Sequence, residues 1–321
     1  MIFDKKMDPQ VVKMIEASQR SGLKRIGEMS VLEARAQYAG TSLGLDYSEV
    51  TKVSIVEDIE IDLHTRRIMG RLYKPMIYNR LNSLPLLLFF HGGGHVVGGL
   101  DSHDSALRSI CNLSSCAIMS VDYRLAPEHR FPAAVEDAFD SLKWIVKNSN
   151  ELEVDPKKIA VGGDSAGGNL AAVCALLARD CELLNLCFQL LIYPVVDLTC
   201  QHDSHKKYGA GYGVLDTQAI NWFINQYIPL IELRTDWRAS PIYANSHVDL
   251  PSALILLAEL DMLYDEGVAY HKKLVGGGVD SELFVSTGMV HGFFRAGNIL
   301  EGAVTAQVKC ANVLRLAFGI E

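Results

Sequence analysis

The spacing of apolar residues changes twice along the chain. Up to about residue 50 it is helical. Asp8 offers an N-cap with Pro9 in the first helical position, and Gly22 offers a stop. Ser30 and Glu33 form a capping-box pair ahead of a second helix that should end near Gly40. Residues 53–63 then alternate in part between apolar and polar, and 66–73 follow as a partner strand. From residue 84 onward short apolar runs alternate with helical patterns. The runs are 86–90, 117–121, 158–161, 187–193, 253–258 and 282–286. Apolar strands joined by helices imply an α/β fold, with a mostly parallel sheet covered on both faces.

One interval interrupts that rhythm. About sixty residues separate the run ending at Tyr193 from the run at Ala253, more than an ordinary crossover needs. Inside it Asp216 can cap a helix whose Ile220, Phe223, Ile224 and Tyr227 share one face, with Trp222 to the side. The interval reads as an inserted cap element. The expected organisation is therefore an N-terminal helical cap segment (1–50), a first core part (51–198), the inserted cap (199–245) and a second core part (246–321).

The 321 residues are 49% hydrophobic and 21% charged, enough for a large core. The net charge of −8 and the lack of a Lys/Arg run argue against a nucleic-acid partner. The first ten residues have no apolar signal-peptide core, and no apolar run reaches membrane-span length. The seven cysteines are odd in number and never at C-x-x-C spacing, which suggests reduced thiols and a cytoplasmic location. Asn112-Leu113-Ser114 matches a glycosylation sequon, which is discounted without a signal peptide.

Candidate chemistry centres on Gly163-Asp164-Ser165-Ala166-Gly167. Its flanks carry the weight: an apolar strand before it and a helix-forming run after it make a strand–turn–helix that projects the Ser165 hydroxyl. A glycine-rich turn with no ligand is the plain alternative. A P-loop is excluded because no Lys follows Gly167-Gly168. Residues 86–94 run from an apolar strand into His91-Gly92-Gly93-Gly94, where backbone N–H groups could approach a developing oxyanion. The N–H of Ala166 should join them. His91 and His95 are separated by three glycines, so they cannot share a zinc-binding helix, and His91 is expected to order the loop.

A serine nucleophile needs a base, and His291 lies late in the chain after an apolar run, in the order Ser…Asp…His. His103, His202, His205 and His247 are expected to be solvated. Asp261 is the preferred acid, with Glu259 the alternative, while Asp265 and Glu266 should open the next helix. Tyr193, Tyr212, Trp222, Phe223 and Phe294 could line a pocket or simply fill the core.

Together these segments resemble the hormone-sensitive-lipase-like family of α/β-hydrolases, its bacterial esterases in particular. The matching motifs are His91-Gly-Gly-Gly, Asp122-Tyr-Arg-Leu-Ala-Pro-Glu-His129 with Phe131-Pro-Ala-Ala, Gly163-Asp-Ser-Ala-Gly-Gly168, Asp261-x-Leu-x-Asp-Glu266 and His291-Gly-Phe. The resemblance implies an eight-stranded sheet beneath a helical cap. It implies Ser165, Asp261 and His291 as a triad, and Gly93, Gly94 and Ala166 as oxyanion donors. The segment from Tyr123 is implied to be structural. No cofactor or metal is implied, and a homodimer is plausible by analogy. The implied activity is that of a serine carboxylesterase acting on a small-molecule ester, of short to medium acyl chain. An amidase, peptidase or deacetylase on the same triad, or a non-catalytic receptor, are the alternatives. His95 departs from the aromatic residue common after the glycines.

Overall fold

All seven residues of the strand Leu84–Phe90 are buried, as expected for a strand with helices on both faces. The computed structural model describes residues 4, 6–43, 50–78, 83–181, 185–212 and 215–320. Residues 1–3, 5 and 44–49 of the expected N-terminal segment lie outside the described residues. The strands are β1 (Ile55–Asp62), β2 (Arg67–Lys74), β3 (Leu84–Phe90), β4 (Ala117–Asp122), β5 (Val154–Asp164), β6 (Leu186–Ile192), β7 (Ser252–Leu260) and β8 (Ser281–Val290). They form one eight-stranded sheet in the order β1-β2-β4-β3-β5-β6-β7-β8. The β1–β2 and β2–β4 pairs are antiparallel. Every pairing from β4 through β8 is parallel. This is the mostly parallel sheet that the apolar runs predict.

The helices are α1 (Pro9–Arg20), α2 (Val31–Leu43), α3 (Asp104–Ser114), α4 (Ala133–Lys147) and α5 (Ser149–Leu152). They continue with α6 (Ala166–Arg179), α7 (Asp203–Lys207), α8 (Thr217–Tyr227), α9 (Tyr264–Gly276) and α10 (Glu301–Phe318). Local chemistry sets the starts. The Asp8 carboxylate accepts from Gln10 N–H at 2.7 Å. Glu33 accepts the Ser30 N–H at 2.9 Å while Ser30 Oγ accepts the Glu33 N–H at 3.3 Å. Asp216 caps α8 through the Ala219 N–H at 2.8 Å. Helix α2 runs to Leu43, past the expected stop, because Gly40 stays helical. The sequon residue Asn112 sits within α3, where its amide bonds Met76 N–H and the Lys52 carbonyl.

Two segments outside the sheet meet each other. The Trp222 indole of α8 donates to the Met29 carbonyl at 3.1 Å, joining the inserted interval to the N-terminal helices. Arg35 of α2 ties those helices to the core. It donates to the Val96 carbonyl at 2.9 Å and the Ala126 carbonyl at 3.0 Å, and it pairs with Glu128. Among the described residues, no helix is long and apolar enough to cross a membrane. The seven cysteines are all free.

Candidate active site

Strand register brings the candidate residues together before any side-chain contact is considered. β7 and β8 are parallel, with Leu260 opposite Val290. The next residue on each strand is Asp261 and His291, so the two leave the sheet side by side. On the other flank, β3 and β5 are parallel neighbours with Phe90 opposite Gly163. The glycine loop after His91 therefore leaves the sheet beside the turn that carries Ser165. All four segments emerge at the carboxyl end of parallel strands, where open α/β sheets place their ligands.

Ser165 occupies the turn between β5 and α6 with φ 55° and ψ −116°. A non-glycine residue held there stores about 1–3 kcal/mol of strain. Three backbone bonds hold it. Its N–H donates to the Ile192 carbonyl at 2.9 Å, and its carbonyl accepts from Asn169 and Val195. At Gly167 a Cβ would collide with the Phe90 carbonyl, so only glycine lets α6 start this close to β3.

His291 Nε2 lies 3.0 Å from Ser165 Oγ. Its Nδ1 lies 2.7 Å from Asp261 Oδ2. The other oxygen of Asp261 accepts the Leu263 N–H at 3.0 Å, which fixes the carboxylate. Burial works to lower the His291 pKa, but the charge and hydrogen bond of Asp261 outweigh it, so the value is raised above the usual 6.5. Glu259, the alternative acid, points away. It accepts the Gly288 N–H and pairs with Lys6 at 3.0 Å.

The glycine loop is fixed by side chains beneath it. Gly93 has φ 121°, and a Cβ there would strike the Val97 carbonyl. Asp164, the residue before the serine, accepts the Gly92 N–H at 2.7 Å. His103 Nε2 sits 2.8 Å from the same carboxylate. Burial works to raise the Asp164 pKa, yet His103, Arg295 and the Gly92 N–H hold it down at about 2. Tyr123 donates to the His91 carbonyl at 2.7 Å and stacks on the His91 ring at 4.3 Å. Arg124, the next residue, donates to Asp137 at 2.9 Å. The segment from Tyr123 thus props the loop from below. His91 is fully buried, and its Nδ1 lies 2.8 Å from the Gly92 carbonyl. Desolvation lowers the His91 pKa to about 4 and that of His95 to about 3. Neither ring is charged at neutral pH. His95 stacks on Tyr227 of α8 at 3.9 Å, so it fills the aromatic position with a neutral flat ring.

Gly93, Gly94, Ser165, Ala166 and His291 border one cavity of about 110 Å³. Ala166 is the first residue of α6, so its N–H has no partner one turn earlier within the helix. The cavity is walled by α8 through Ile220, Phe223, Ile224 and Tyr227, and by Ile26 and Tyr38 of the N-terminal segment. Of the five aromatic pocket candidates, Phe223 alone borders it. Tyr212 borders a smaller neighbouring space behind Asp261 and His291. Tyr193 and Phe294 are core. Trp222 holds the Met29 carbonyl instead.

Three histidines expected in solvent are buried. His103, His205 and His247 are 2%, 6% and 6% exposed. His103 supports Asp164. His205 lies 2.8 Å from Glu266. His247 lies 3.0 Å from the Pro241 carbonyl. His202 keeps a partly exposed position beside Asp197 at 3.1 Å. Asp265 and Glu266 stand in the first turn of α9, as expected. Glu266 is fully buried there, and besides His205 it accepts the Val196 and Asp197 N–H groups. The partners of His103, His205 and Glu266 lie about sixty to seventy residues away in sequence, which is why a local polar pattern looked solvated, whereas His247 meets Pro241 nearby in the chain.

A model of the alpha/beta hydrolase fold matches residues 87–295. An ethyl acetate hydrolase of Pseudomonas putida is 37% identical over 311 residues, covering 95% of this chain and 96% of that protein. A carboxylesterase of Mycobacterium tuberculosis is 38% identical over 239 residues, covering 74% of each. A solved hyperthermophilic esterase of the archaeon Pyrobaculum calidifontis superposes with TM-score 0.92 at 38% identity, covering 98% of this chain and 99% of that one. The chain belongs to the alpha/beta hydrolase fold family, in its hormone-sensitive-lipase-like branch.

Proposed function

We propose that the protein is a serine carboxylesterase with Ser165 as nucleophile, His291 as base and Asp261 as the residue that orients and stabilises it. The carrying observation is the unbroken line Asp261 Oδ2–His291 Nδ1 (2.7 Å) and His291 Nε2–Ser165 Oγ (3.0 Å), opening on one cavity. His291 takes the Ser165 proton as Oγ attacks the ester carbonyl. The tetrahedral oxyanion is met by the N–H groups of Gly93, Gly94 and Ala166, whose helix also presents its positive end. The acyl C–O bond then breaks, His291 gives its proton to the leaving oxygen, and the acyl group stays on Ser165. Water activated by His291 releases the acid.

The N-terminal segment (1–50) and the inserted interval (199–245) act together as the cap, since Ile26 and Tyr38 face the residues of α8 across one cavity. A cavity of about 110 Å³ lined by Phe223 and Ile224 favours short and medium acyl chains. Seven free cysteines fit a reducing compartment such as the cytoplasm. In the test, wild type should hydrolyse p-nitrophenyl acetate and butyrate faster than long-chain esters and should take a fluorophosphonate label, while Ser165→Ala does neither. Labelling that persists in Ser165→Ala would place the nucleophile elsewhere.

A further inference from the structure

The oxyanion donors Gly93 and Gly94 belong to one turn of backbone, and that turn is held from two sides. From beneath, Asp164 takes the Gly92 N–H at 2.7 Å. Within the turn, the Gly93 carbonyl accepts the Val96 and Val97 N–H groups, both at 3.0 Å. In a planar trans peptide the carbonyl and the following N–H point in opposite directions. The Gly94 N–H is therefore turned away from the inside of the turn, and Gly94 borders the cavity. Whatever holds Val96 in place also holds this donor.

The second hold comes from the N-terminal helices. Arg35 of α2 donates from Nε to the Val96 carbonyl at 2.9 Å and from Nη2 to the Ala126 carbonyl at 3.0 Å. Ala126 in turn donates its N–H to the His95 carbonyl at 2.8 Å. One guanidinium thus bridges the turn and the segment bonded to it, from 61 and 91 residues away in sequence. Glu128 takes the other edge of the fork at 2.9 and 2.7 Å, which fixes the guanidinium plane. A lysine ammonium is a point charge and has no such plane. Tyr38, one turn further along α2, borders the catalytic cavity. The same helix that walls the cavity therefore grips the loop that carries the oxyanion donors.

Resting on the esterase reading, we propose that Arg35 is a positioning residue, through which helix α2 holds the oxyanion loop in its donating geometry. Arg35 touches no reacting atom. Acylation and deacylation both pass through a tetrahedral oxyanion, so a looser turn slows kcat whichever step limits it. The neutral ester carries no such charge, so its binding changes little.

The test assays the full chain as wild type, Arg35→Met and Arg35→Lys with p-nitrophenyl butyrate. Each is also titrated with an alkyl trifluoromethyl ketone, which adds to Ser165 as an oxyanion, and with the matching trifluoromethyl alcohol, which cannot add. Arg35→Met should lower kcat about tenfold, less than the roughly 10²–10³-fold that loss of a whole oxyanion donor costs. KM should stay within about twofold. The ketone should bind about tenfold more weakly, and the alcohol should change by less than about twofold. Arg35→Lys should fall between wild type and Arg35→Met, and it carries the same comparison if Arg35→Met does not fold. An unchanged kcat overturns the proposal. Equal weakening of ketone and alcohol does so too, because a site that has merely lost its shape binds both poorly. Failure of wild type to hydrolyse p-nitrophenyl butyrate would strike the esterase reading itself rather than the role of Arg35.

Discussion

Two histidine–carboxylate pairs, one opening on the cavity and one wholly buried, do different work. His291 and Asp261 are 2.7 Å apart, and His205 and Glu266 are 2.8 Å apart. In the first pair the remaining imidazole nitrogen reaches Ser165 and faces the cavity. In the second the remaining carboxylate oxygen accepts the N–H groups of Val196 and Asp197 and faces the protein. That loop follows β6 and supplies Val195 and Leu198 to the cavity wall. The contact distance differs by only 0.1 Å between the pairs, 2.7 Å against 2.8 Å. What the second nitrogen or oxygen meets decides whether a pair handles protons or holds backbone.

The sharpest way to separate them is deletion of each histidine. His291→Ala should lower kcat by about 10⁴-fold or more with little change in melting temperature. His205→Ala should cost about 3–5 kcal/mol of stability, because it strands the Glu266 charge in the core. Denaturant melts beside steady-state kinetics would read both. An inactive but equally stable His205→Ala would erase the distinction.

The carboxylates give the next contrast. Asp261→Asn should cost about 10⁴-fold in kcat, since an amide no longer stabilises the imidazolium. Glu266→Gln keeps an acceptor for the two N–H groups and should cost only about 1–3 kcal/mol of stability, with kcat close to wild type. Comparable losses of kcat in the two variants would mean that Glu266 reaches the chemistry.

A pH series separates activity from stability at His291. The neutral ring is the base, so kcat/KM should rise with pH through an acid limb lying above 6.5. The folded-state pKa is raised, so the stability this group contributes is full below the unfolded value and fades as pH rises through the folded one. Activity and this stability contribution should therefore run in opposite directions across that window. An acid limb below 6.5 would contradict the raised value. The smallest effect belongs to a third pair, His202 with Asp197, which water partly screens. His202→Ala should stay within about 1 kcal/mol of wild type in a melt, and a larger loss would move it into the class of His205.

The parts of the molecule that follow from local spacing were legible in the sequence. The glycines around Ser165, the caps at Asp8, Ser30 and Asp216, and the apolar runs of the sheet each carry their signal within a few residues. Strand ends were less so: β5 reaches from Val154 to Asp164, well outside the apolar run 158–161, because its early residues are polar and partly exposed. The buried histidines were not legible. His103, His205 and Glu266 sit among polar neighbours, and their burial is set by Asp164, Val196 and each other across long stretches of chain. Phe223 could be named only as a possible pocket residue, since core and pocket faces of a helix have one periodicity.

The pairing of Leu260 with Val290 has a consequence for how the chain could be rebuilt. Asp261 and His291 take their spacing from adjacent rungs of the sheet, not from the connection between them. The largely exposed turn at 276–278, at the end of α9, can be lengthened or opened to new termini without altering that spacing, provided the ladder closes in the same frame. A shift of β8 by one rung would turn its side chains to the opposite face. Tolerance to insertion between these strands and intolerance to slippage within them are thus two sides of a single hydrogen-bonded alignment.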